Sequence, residues 1–154
     1  MKVTIRSARP ADIPILREFE QGIVAAERPF DITLRPDPIT YHDIELLIAS
    51  PDAELAVAEN ENRVIGCGYA AKKDSRHYTE PAFHAHLGFM FVEPESRGKG
   101  VNQMILQHLQ SWAKSRGLLE IRLTVYPENR PAVRAYEKAG FVPHILEMRM
   151  RLDD

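Results

Sequence analysis

The sequence predicts a three-layer α/β domain in which helices cover both faces of a mixed central β-sheet. Segments with the two-residue period of strands alternate along the chain with segments that have the 3.6-residue period of helices. The length of 154 residues suits one domain with a core of ordinary size, and no internal repeat or low-complexity segment interrupts it. We therefore expect a single domain over residues 1–154.

The first quarter of the chain predicts a strand, a helix, a loop and a second helix. A strand over Val3–Ser7 is followed by Pro10, which opens the first helix. The apolar residues of this helix recur on one face, at Ile13, Leu16, Phe19, Ile23 and Val24. Residues 28–38 are rich in proline and charge and indicate an ordered surface loop, and the second helix is expected around Tyr41–Ala49.

The middle of the chain predicts a hairpin and a fourth strand. Strands over Glu54–Glu59 and Val64–Ala71 are joined by a short polar turn, so the two should pair with each other. A flexible polar connector over Lys72–Glu80 leads to a fourth strand over residues 82–92. Cys67 lies in an apolar strand pattern typical of a buried thiol, and as the only cysteine it excludes an internal disulfide.

The remaining elements are two helices and two strands. A third helix buries one face and ends at Gly117; the members of that face are Val101, Met104, Ile105, Leu109 and Trp112. A fifth strand over Ile121–Tyr126 precedes a short helix over Asn129–Ala139. The apolar stretch Ile145–Leu152 is expected to be a final strand, either an ordinary sheet edge or part of a homodimer contact.

The segment from Phe89 to Asn102 has the pattern of an anion-binding cradle. An apolar strand runs through a proline turn into the basic loop Arg97-Gly98-Lys99-Gly100 and then into a helix. Glycine permits backbone conformations that bring amide groups close to a ligand, and the first turn of a helix offers unpaired N–H groups to a phosphate. The magnesium-binding Ser or Thr of a P-loop and the glycine spacing of a dinucleotide site are both absent. A solvated basic turn is the alternative for this loop taken alone.

Two segments together resemble a known family. The matching residues are Val92, Pro94, Arg97, Gly98, Lys99, Gly100, Asn129, Ala132, Tyr136, Lys138, Gly140 and Phe141. They are similar to the coenzyme A motifs of the GNAT superfamily of N-acetyltransferases. The chain departs from the family pattern at Asn102, where glycine or alanine is usual.

The resemblance implies a GNAT-like fold whose fourth and fifth strands splay apart near Val92 and Val125. The pantetheine arm of the cosubstrate acetyl-CoA would then bond to the strand backbone like a short extra strand. The implied coenzyme contacts are Phe91, Val92, Arg97, Gly98, Lys99, Gly100, Val101, Asn102, Asn129 and Tyr136. By itself, Asn129 reads as a helix N-cap and Tyr136 as a core residue. The resemblance places Tyr136 at the thioester sulfur.

The implied reaction is direct attack of a neutral primary amine on the acetyl carbonyl in a ternary complex. It requires a base that removes the ammonium proton, a donor that stabilises the oxyanion, and an acid that protonates the departing thiolate. We assign the acid to Tyr136, the oxyanion donor to a backbone N–H near Val92, and the base or relay to His86. His84 lies on the same strand face as His86, but the pair is not a complete metal site, because a third ligand at readable spacing is missing. One or both histidines are alternatively ordinary polar strand residues.

The acceptor is expected to be an amine that carries positive charge before reaction. Glu27 or Asp31, from the first loop, is a candidate contact for that ammonium group. Glu18 and Glu20 are further acidic residues nearby, but charge on a helix surface is usually solvated. A small free amine, an amino acid, an antibiotic and a protein lysine or N-terminus all remain open as acceptors. A non-catalytic acyl-CoA-binding or sensing module is the alternative function.

Composition limits the partners further. A formal net charge of −2 argues against a general nucleic-acid binder. The N-terminus lacks the apolar run of a signal peptide, and no segment reaches the length of a bilayer span, so we expect a cytoplasmic protein without membrane contact. No metal is expected, and the resemblance allows a homodimer.

Overall fold

The computed structural model describes residues 1–153 and divides into two compact units, residues 1–124 and the segment that begins at Val125. The first unit contains strands β1 (Val3–Ser7), β2 (Ala53–Asn60), β3 (Arg63–Asp74), β4 (Phe83–Val92) and β5 (Ile121–Arg122), and helices α1 (Ile13–Glu27), α2 (Ile44–Ala49) and α3 (Val101–Ser115). The second unit contains α4 (Arg130–Lys138). The expectation of one domain over the whole chain stays a prediction.

The sheet of the first unit is open and mixed. Its strand order is β1-β2-β3-β4-β5, with antiparallel neighbours except for the parallel pair β4 and β5. The predicted β2–β3 hairpin is confirmed. Its two-residue turn consists of Glu61 and Asn62, with φ angles of 51° and 63°. Two successive left-handed residues match the right-handed twist of the strands they join.

Helices cover both faces of this sheet, as the sequence predicts. Cys67 and Tyr69 on β3 pack in the same apolar cluster as the buried residues of α1 and α2. Gly66 and Gly68, which alternate with them, face the other way, toward Ile105 on α3. Alternate residues of one strand therefore serve two separate helix layers.

Two boundaries differ from the predicted ones. Helix α2 begins at Ile44, because the Asp43 side chain caps it by accepting the Leu46 N–H at 3.0 Å. Tyr41 and His42 consequently lie in the loop before this helix. Strand β3 continues to Asp74, which pairs with Phe83, so the first part of the predicted connector is strand. Cross-strand pairing here extends past the end of the apolar pattern.

The fifth strand was predicted over Ile121–Tyr126, and this length is wrong. Only Ile121 and Arg122 are strand residues, paired with Ala85 and His86 of β4. The alternation of apolar residues indicates which face a strand would bury, but a ladder also needs a neighbour that stays within hydrogen-bonding distance. Beyond His86, β4 no longer provides that neighbour.

The ends of the two later helices agree with the sequence, whereas the final strand does not. Helix α3 ends at Ser115, and Gly117 has the left-handed φ of 73° expected of a glycine stop. Helix α4 is capped by Asn129, whose side-chain oxygen accepts the Ala132 N–H at 3.4 Å. The predicted strand Ile145–Leu152 is not a strand in the described chain, because apolar alternation alone supplies no ladder partner.

None of the helices within residues 1–153 combines the length and apolarity needed to cross a bilayer.

Candidate functional site

The edge of β4 is open over its second half. Pairing with β5 stops at His86, and β4 runs on to Val92. The pairing begins where Ala85 donates its N–H to the Glu120 carbonyl at 2.9 Å, and it includes only two residue pairs. Residues 87–92 therefore form a strand edge that β5 does not cover, and such an edge can hydrogen-bond an extended ligand.

A β-bulge lies in the middle of this open edge. Cys67 pairs with Phe91 and Tyr69 with Gly88, so Gly68 alone faces two residues of β4. The first of these, Phe89, has a φ of 55°, which is unusual for a bulky side chain. A bulge bends its strand, and a strained residue kept in a sheet points to a functional reason for the bend.

The turn after β4 is held by buried polar contacts. Glu93 is buried, accepts the Ser96 hydroxyl at 3.0 Å and pairs with Arg63 at 2.6 Å. Arg97 donates its Nε–H to the Val92 carbonyl at 2.8 Å. These contacts connect the strand end to the glycine loop and fix where the loop begins.

The glycine loop presents unused backbone donors at the start of α3. Gly98 and Gly100 have φ angles of 76° and 80°, and a Cβ added to either would meet no atom within 4 Å. No hydrogen bond in the described chain uses the backbone N–H groups from Gly98 to Asn102. Lys99 adds an ammonium group, which donates to the Glu95 carbonyl at 3.2 Å. Open amides at the positive end of a helix dipole fit a phosphate group.

The predicted coenzyme contacts of the first unit are thus brought together along one path. Phe91 and Val92 end the open strand edge, and Arg97, Gly98, Lys99, Gly100, Val101 and Asn102 follow directly in the loop and the first turn of α3. The Phe91 ring packs against Phe19 of α1 with ring centroids 4.9 Å apart. Asn102 is partly exposed in that first turn.

The two histidines of β4 have different surroundings. His84 is buried, and its Nδ1 lies 2.9 Å from the Ser75 hydroxyl. Burial, with the positive charge of Arg122, lowers the pKa of His84. Burial, with Lys73 and His84 nearby, lowers the pKa of His86 to about 4. His86 is therefore neutral at physiological pH and accepts hydrogen bonds, but it binds a proton weakly.

A third histidine, which the sequence analysis did not select, lies beside the bulge. The His42 ring stacks on the Phe89 ring with centroids 4.5 Å apart and an interplanar angle of 5°. Its Nδ1 lies 2.8 Å from a carboxylate oxygen of Glu20. Burial lowers the pKa of His42, and the Glu20 hydrogen bond and charge act in the opposite direction. The Tyr69 ring is 6.1 Å from both the His42 and the His86 rings.

The inclusion of Glu20 among surface charges of α1 was wrong, since its side chain is fully buried. A signal was present in the sequence: Glu20 is four residues after Leu16 and four before Val24, on the buried stripe of the helix. His42 had no such signal. The sequence placed it in the predicted second helix, whereas α2 begins only at Ile44.

The candidate acceptor contacts, Glu27 and Asp31, lie near each other. Glu27 is the last residue of α1 and is partly buried. Burial, with the negative charge of Asp31, raises the pKa of Glu27. The Asp31 carboxylate accepts the Thr33 N–H at 3.0 Å, which holds it in the loop after the helix. Two neighbouring carboxylates of this kind suit a cationic group.

In the second unit, Tyr136 lies on α4 and packs edge-on against Phe141, with ring centroids 5.6 Å apart. Burial raises the pKa of the Tyr136 hydroxyl, so this group keeps its proton at neutral pH. Asn129 serves as the N-cap that the residue pattern indicated.

The single cysteine is buried, and the described residues contain no cluster of metal-ligating side chains. Cys67 is fully buried, and burial raises the pKa of its thiol well above the ordinary range. Its Sγ lies 3.4 Å from the Phe89 carbonyl, as donor to it. Within residues 1–153, no three His, Cys, Asp or Glu side chains converge as metal ligands would.

Comparison with known proteins adds to this geometry. A family model described as "Acetyltransferase (GNAT) family" matches residues 21–141. A streptothricin acetyltransferase from Streptomyces lavendulae is 38% identical over 151 residues, which cover 88% of this chain and 79% of that protein. An IAA acetyltransferase from Azospirillum brasilense is 29% identical over 94 residues, 61% of this chain and 58% of that protein. The match thus spans less than two thirds of the latter.

A solved structure shows the same fold. The crystal structure of a predicted acetyltransferase with acetyl-CoA from Clostridium acetobutylicum aligns with a TM-score of 0.74 at 23% identity. The alignment covers 98% of this chain and 97% of that one. The predicted α/β architecture, with its mixed sheet and splayed fourth and fifth strands, is therefore confirmed.

Proposed function

The chain belongs to the acetyltransferase (GNAT) family, and we propose that it transfers the acetyl group of acetyl-CoA to a primary amine. The observation that carries this proposal is the unused set of backbone N–H groups from Gly98 to Asn102, directly after an open strand edge. Those donors suit the pyrophosphate of the coenzyme, and the edge of residues 87–92 suits its amide-containing arm.

The coenzyme contacts are proposed to divide by type. Gly98, Gly100 and Val101 bind phosphate through the backbone, and Lys99 supplies charge. Arg97 holds the Val92 carbonyl and so fixes the end of the edge. Asn102 donates its side-chain amide at the position where the family pattern has glycine or alanine. Phe91 and Val92 meet the arm, and Asn129 and Tyr136 of the second unit are further proposed contacts.

The proposed reaction proceeds in a ternary complex by direct attack. A base takes one proton from the acceptor's ammonium, and the free amine attacks the acetyl carbonyl, whose oxyanion accepts a backbone N–H near Val92. On collapse the carbon–sulfur bond breaks, and the thiolate takes the Tyr136 hydroxyl proton. Tyr136 regains a proton from the newly acylated nitrogen, so one proton is released per turnover. His86 acts as a proton relay.

The acceptor is proposed to be a small cationic amine. Burial and the nearby negative charge of Asp31 raise the pKa of Glu27, and the two carboxyl groups together suit an ammonium group beside the one that reacts. The relative named a streptothricin acetyltransferase makes an antibiotic of that name the first candidate to test. A protein amine is the second class, and we retain a cytoplasmic location and a homodimer as predictions.

The proposal is tested by titrating the protein with acetyl-CoA and following calorimetry and thermal unfolding. At about a hundredfold excess over Kd, the ligand should stabilise the wild type by roughly 2.7 kcal/mol. Gly100→Glu should abolish this gain, because it places a negative charge among the phosphate donors.

The matched control is Gly117→Glu. Gly117 has a similar φ of 73° and similarly open surroundings, but it lies at the opposite end of α3. The Gly117→Glu variant has the same backbone strain and the same new charge, but both are remote from the glycine loop. This variant should therefore still bind acetyl-CoA. Equal binding of acetyl-CoA by the two variants would show that the glycine loop does not bind the coenzyme. Binding without thiol release for any amine would favour the acyl-CoA-sensing alternative.

A further inference from the structure

We propose that His42, positioned by Glu20, is the base that removes the proton from the acceptor's ammonium group. This inference rests on the proposed acetyl transfer and assigns its one missing role. His42 is the catalytic residue of the pair, and Glu20 acts only through it.

The contacts of Glu20 define the orientation of the imidazole. One carboxylate oxygen accepts the His42 backbone N–H at 2.9 Å, the Tyr41 backbone N–H at 3.4 Å and the His42 Nδ1 at 2.8 Å. A carboxylate only accepts hydrogen bonds, so the proton of the neutral ring lies on Nδ1. The lone pair is then on Nε2, for which no hydrogen-bond partner exists in the described chain.

The ring lies beside the part of the sheet that is proposed to hold the thioester. It stacks on Phe89, the strained residue of the bulge, at 4.5 Å, and β4 lacks β5 as a neighbour from residue 87 onward. The bulge and the histidine are therefore adjacent, although 47 residues separate them in the chain. A base at this place is next to the open edge, where an amine would approach the acetyl group.

The Glu20 carboxylate makes fewer hydrogen bonds than a purely structural buried carboxylate would need. Glu20 Oε1 is buried without a hydrogen-bond partner, and its nearest cation, the Arg17 guanidinium, is 3.7 Å away. A buried, partly unsatisfied carboxylate is unfavourable for stability, so its presence calls for another role. Holding an imidazole as a proton acceptor, and stabilising the imidazolium that forms, is such a role.

His42 is a better proton acceptor than His86. Burial lowers both pKa values, but the neighbouring Lys73 and His84 lower that of His86 further, whereas the Glu20 carboxylate raises that of His42. The other titratable groups facing His42 are Arg17 on α1, which itself pairs with Glu45 of α2, the adjacent Tyr41, whose ring centroid is 4.0 Å from that of His42, and Tyr69 on β3. In the step itself, Nε2 takes one ammonium proton, and the freed nitrogen lone pair attacks the carbonyl carbon.

The test measures kcat against pH for the wild type and for three variants. His42→Gln should lower kcat at neutral pH by about a hundredfold or more and remove the acid limb of the profile. Glu20→Gln removes the charge that raises the His42 pKa, so the acid limb should move to lower pH. Arg17→Gln removes a positive charge that lowers the His42 pKa, so the acid limb of the kcat profile should move to higher pH.

The matched control is His108→Gln. His108 is also paired with a carboxylate, Glu54, at 2.7 Å, but it lies on α3, outside the proposed site. This variant should keep the wild-type profile. Two opposite shifts of one limb would not follow from general loosening of the structure. Imidazole in solution should also restore part of the activity of His42→Ala.

The proposal is overturned by a wild-type acid limb in His42→Gln, or by limbs that do not move in Glu20→Gln and Arg17→Gln. If the wild type binds acetyl-CoA but releases no thiol with any amine, the proposed function fails instead. Nitrogen NMR of labelled histidine needs no acceptor. A proton on Nδ1 of His42 at neutral pH supports the proposal, and a proton on Nε2 overturns it.

Discussion

Glu20 shows how a single residue can link distant segments of the chain. It occupies the apolar stripe of α1, where a carboxylate is unfavourable unless donors surround it. Its donors come from residues 41 and 42, in the loop before α2. The carboxylate thereby holds that loop against the helix and brings the His42 ring onto Phe89. Two other α1 side chains help to hold this loop: Arg17 donates to the His42 carbonyl at 3.2 Å and Gln21 donates to the Ile39 carbonyl at 2.6 Å.

The proposed acid role of Tyr136 is testable by one substitution. Tyr136→Phe removes only the hydroxyl, which keeps its proton at neutral pH because burial raises its pKa. Turnover should fall by about a hundredfold, whereas the Kd for acetyl-CoA, measured by calorimetry, should change little. Tyr78→Phe, at an exposed loop tyrosine, is the control and should leave both values unchanged. An unaltered rate in Tyr136→Phe would end the assignment.

At the scale of the element, β4 is the center of the proposed site. Ala85 and His86 pair on both sides, the bulge bends the strand, and its last residues keep one edge open before the glycine loop. Gly66 and Gly68 on β3 permit this geometry, since side chains there would meet the bulged segment. The open edge is therefore a property of β3 and β4 together.

The role of Gly66 leads to a prediction of stability. A Cβ at Gly66 would lie 2.8 Å from the Phe91 carbonyl oxygen, so Gly66→Ala must displace backbone. We expect a loss of roughly 1–3 kcal/mol in the free energy of unfolding, measured with urea, and weaker acetyl-CoA binding. Gly68→Ala meets mainly the flexible Met90 thioether and should cost less. Equal losses in the two variants would contradict this account.

At the scale of the whole molecule, burial of neutral histidines couples folding to pH. His42, His84 and His86 all have pKa values below the ordinary 6.5, and that of His86 falls to about 4. Below pH 6.5 the unfolded chain consequently binds more protons than the native one. Acidification over this range therefore favours unfolding.

We expect the free energy of unfolding to decrease as pH falls from about 6.5 toward 4, before most carboxylates titrate. His86→Gln removes one of the groups responsible, so its stability should decline less steeply over the same range. His77→Gln, at an exposed histidine, should decline as the wild type does. Urea unfolding at pH 7, 6 and 5 makes the comparison, and identical slopes for wild type and His86→Gln would refute it.

The sequence by itself determined the features that depend on neighbours along the chain. The three-layer class, the β2–β3 hairpin, the stop of α3 at Gly117 and the cap at Asn129 all follow from periodicity or from single-residue conformational preferences. The glycine loop was recognisable for the same reason, since its glycines, its charges and the following helix are contiguous.

Only the tertiary structure decided the length of β5, the bulge at Phe89 and the pairing of Glu20 with His42. Each of these is a contact between residues far apart in sequence, and local patterns do not specify which distant segments meet. A strand ends where its neighbour diverges, and a buried carboxylate is tolerated where another segment supplies donors. Such features depend on the path of the whole chain, which the spacing of residues along it does not encode.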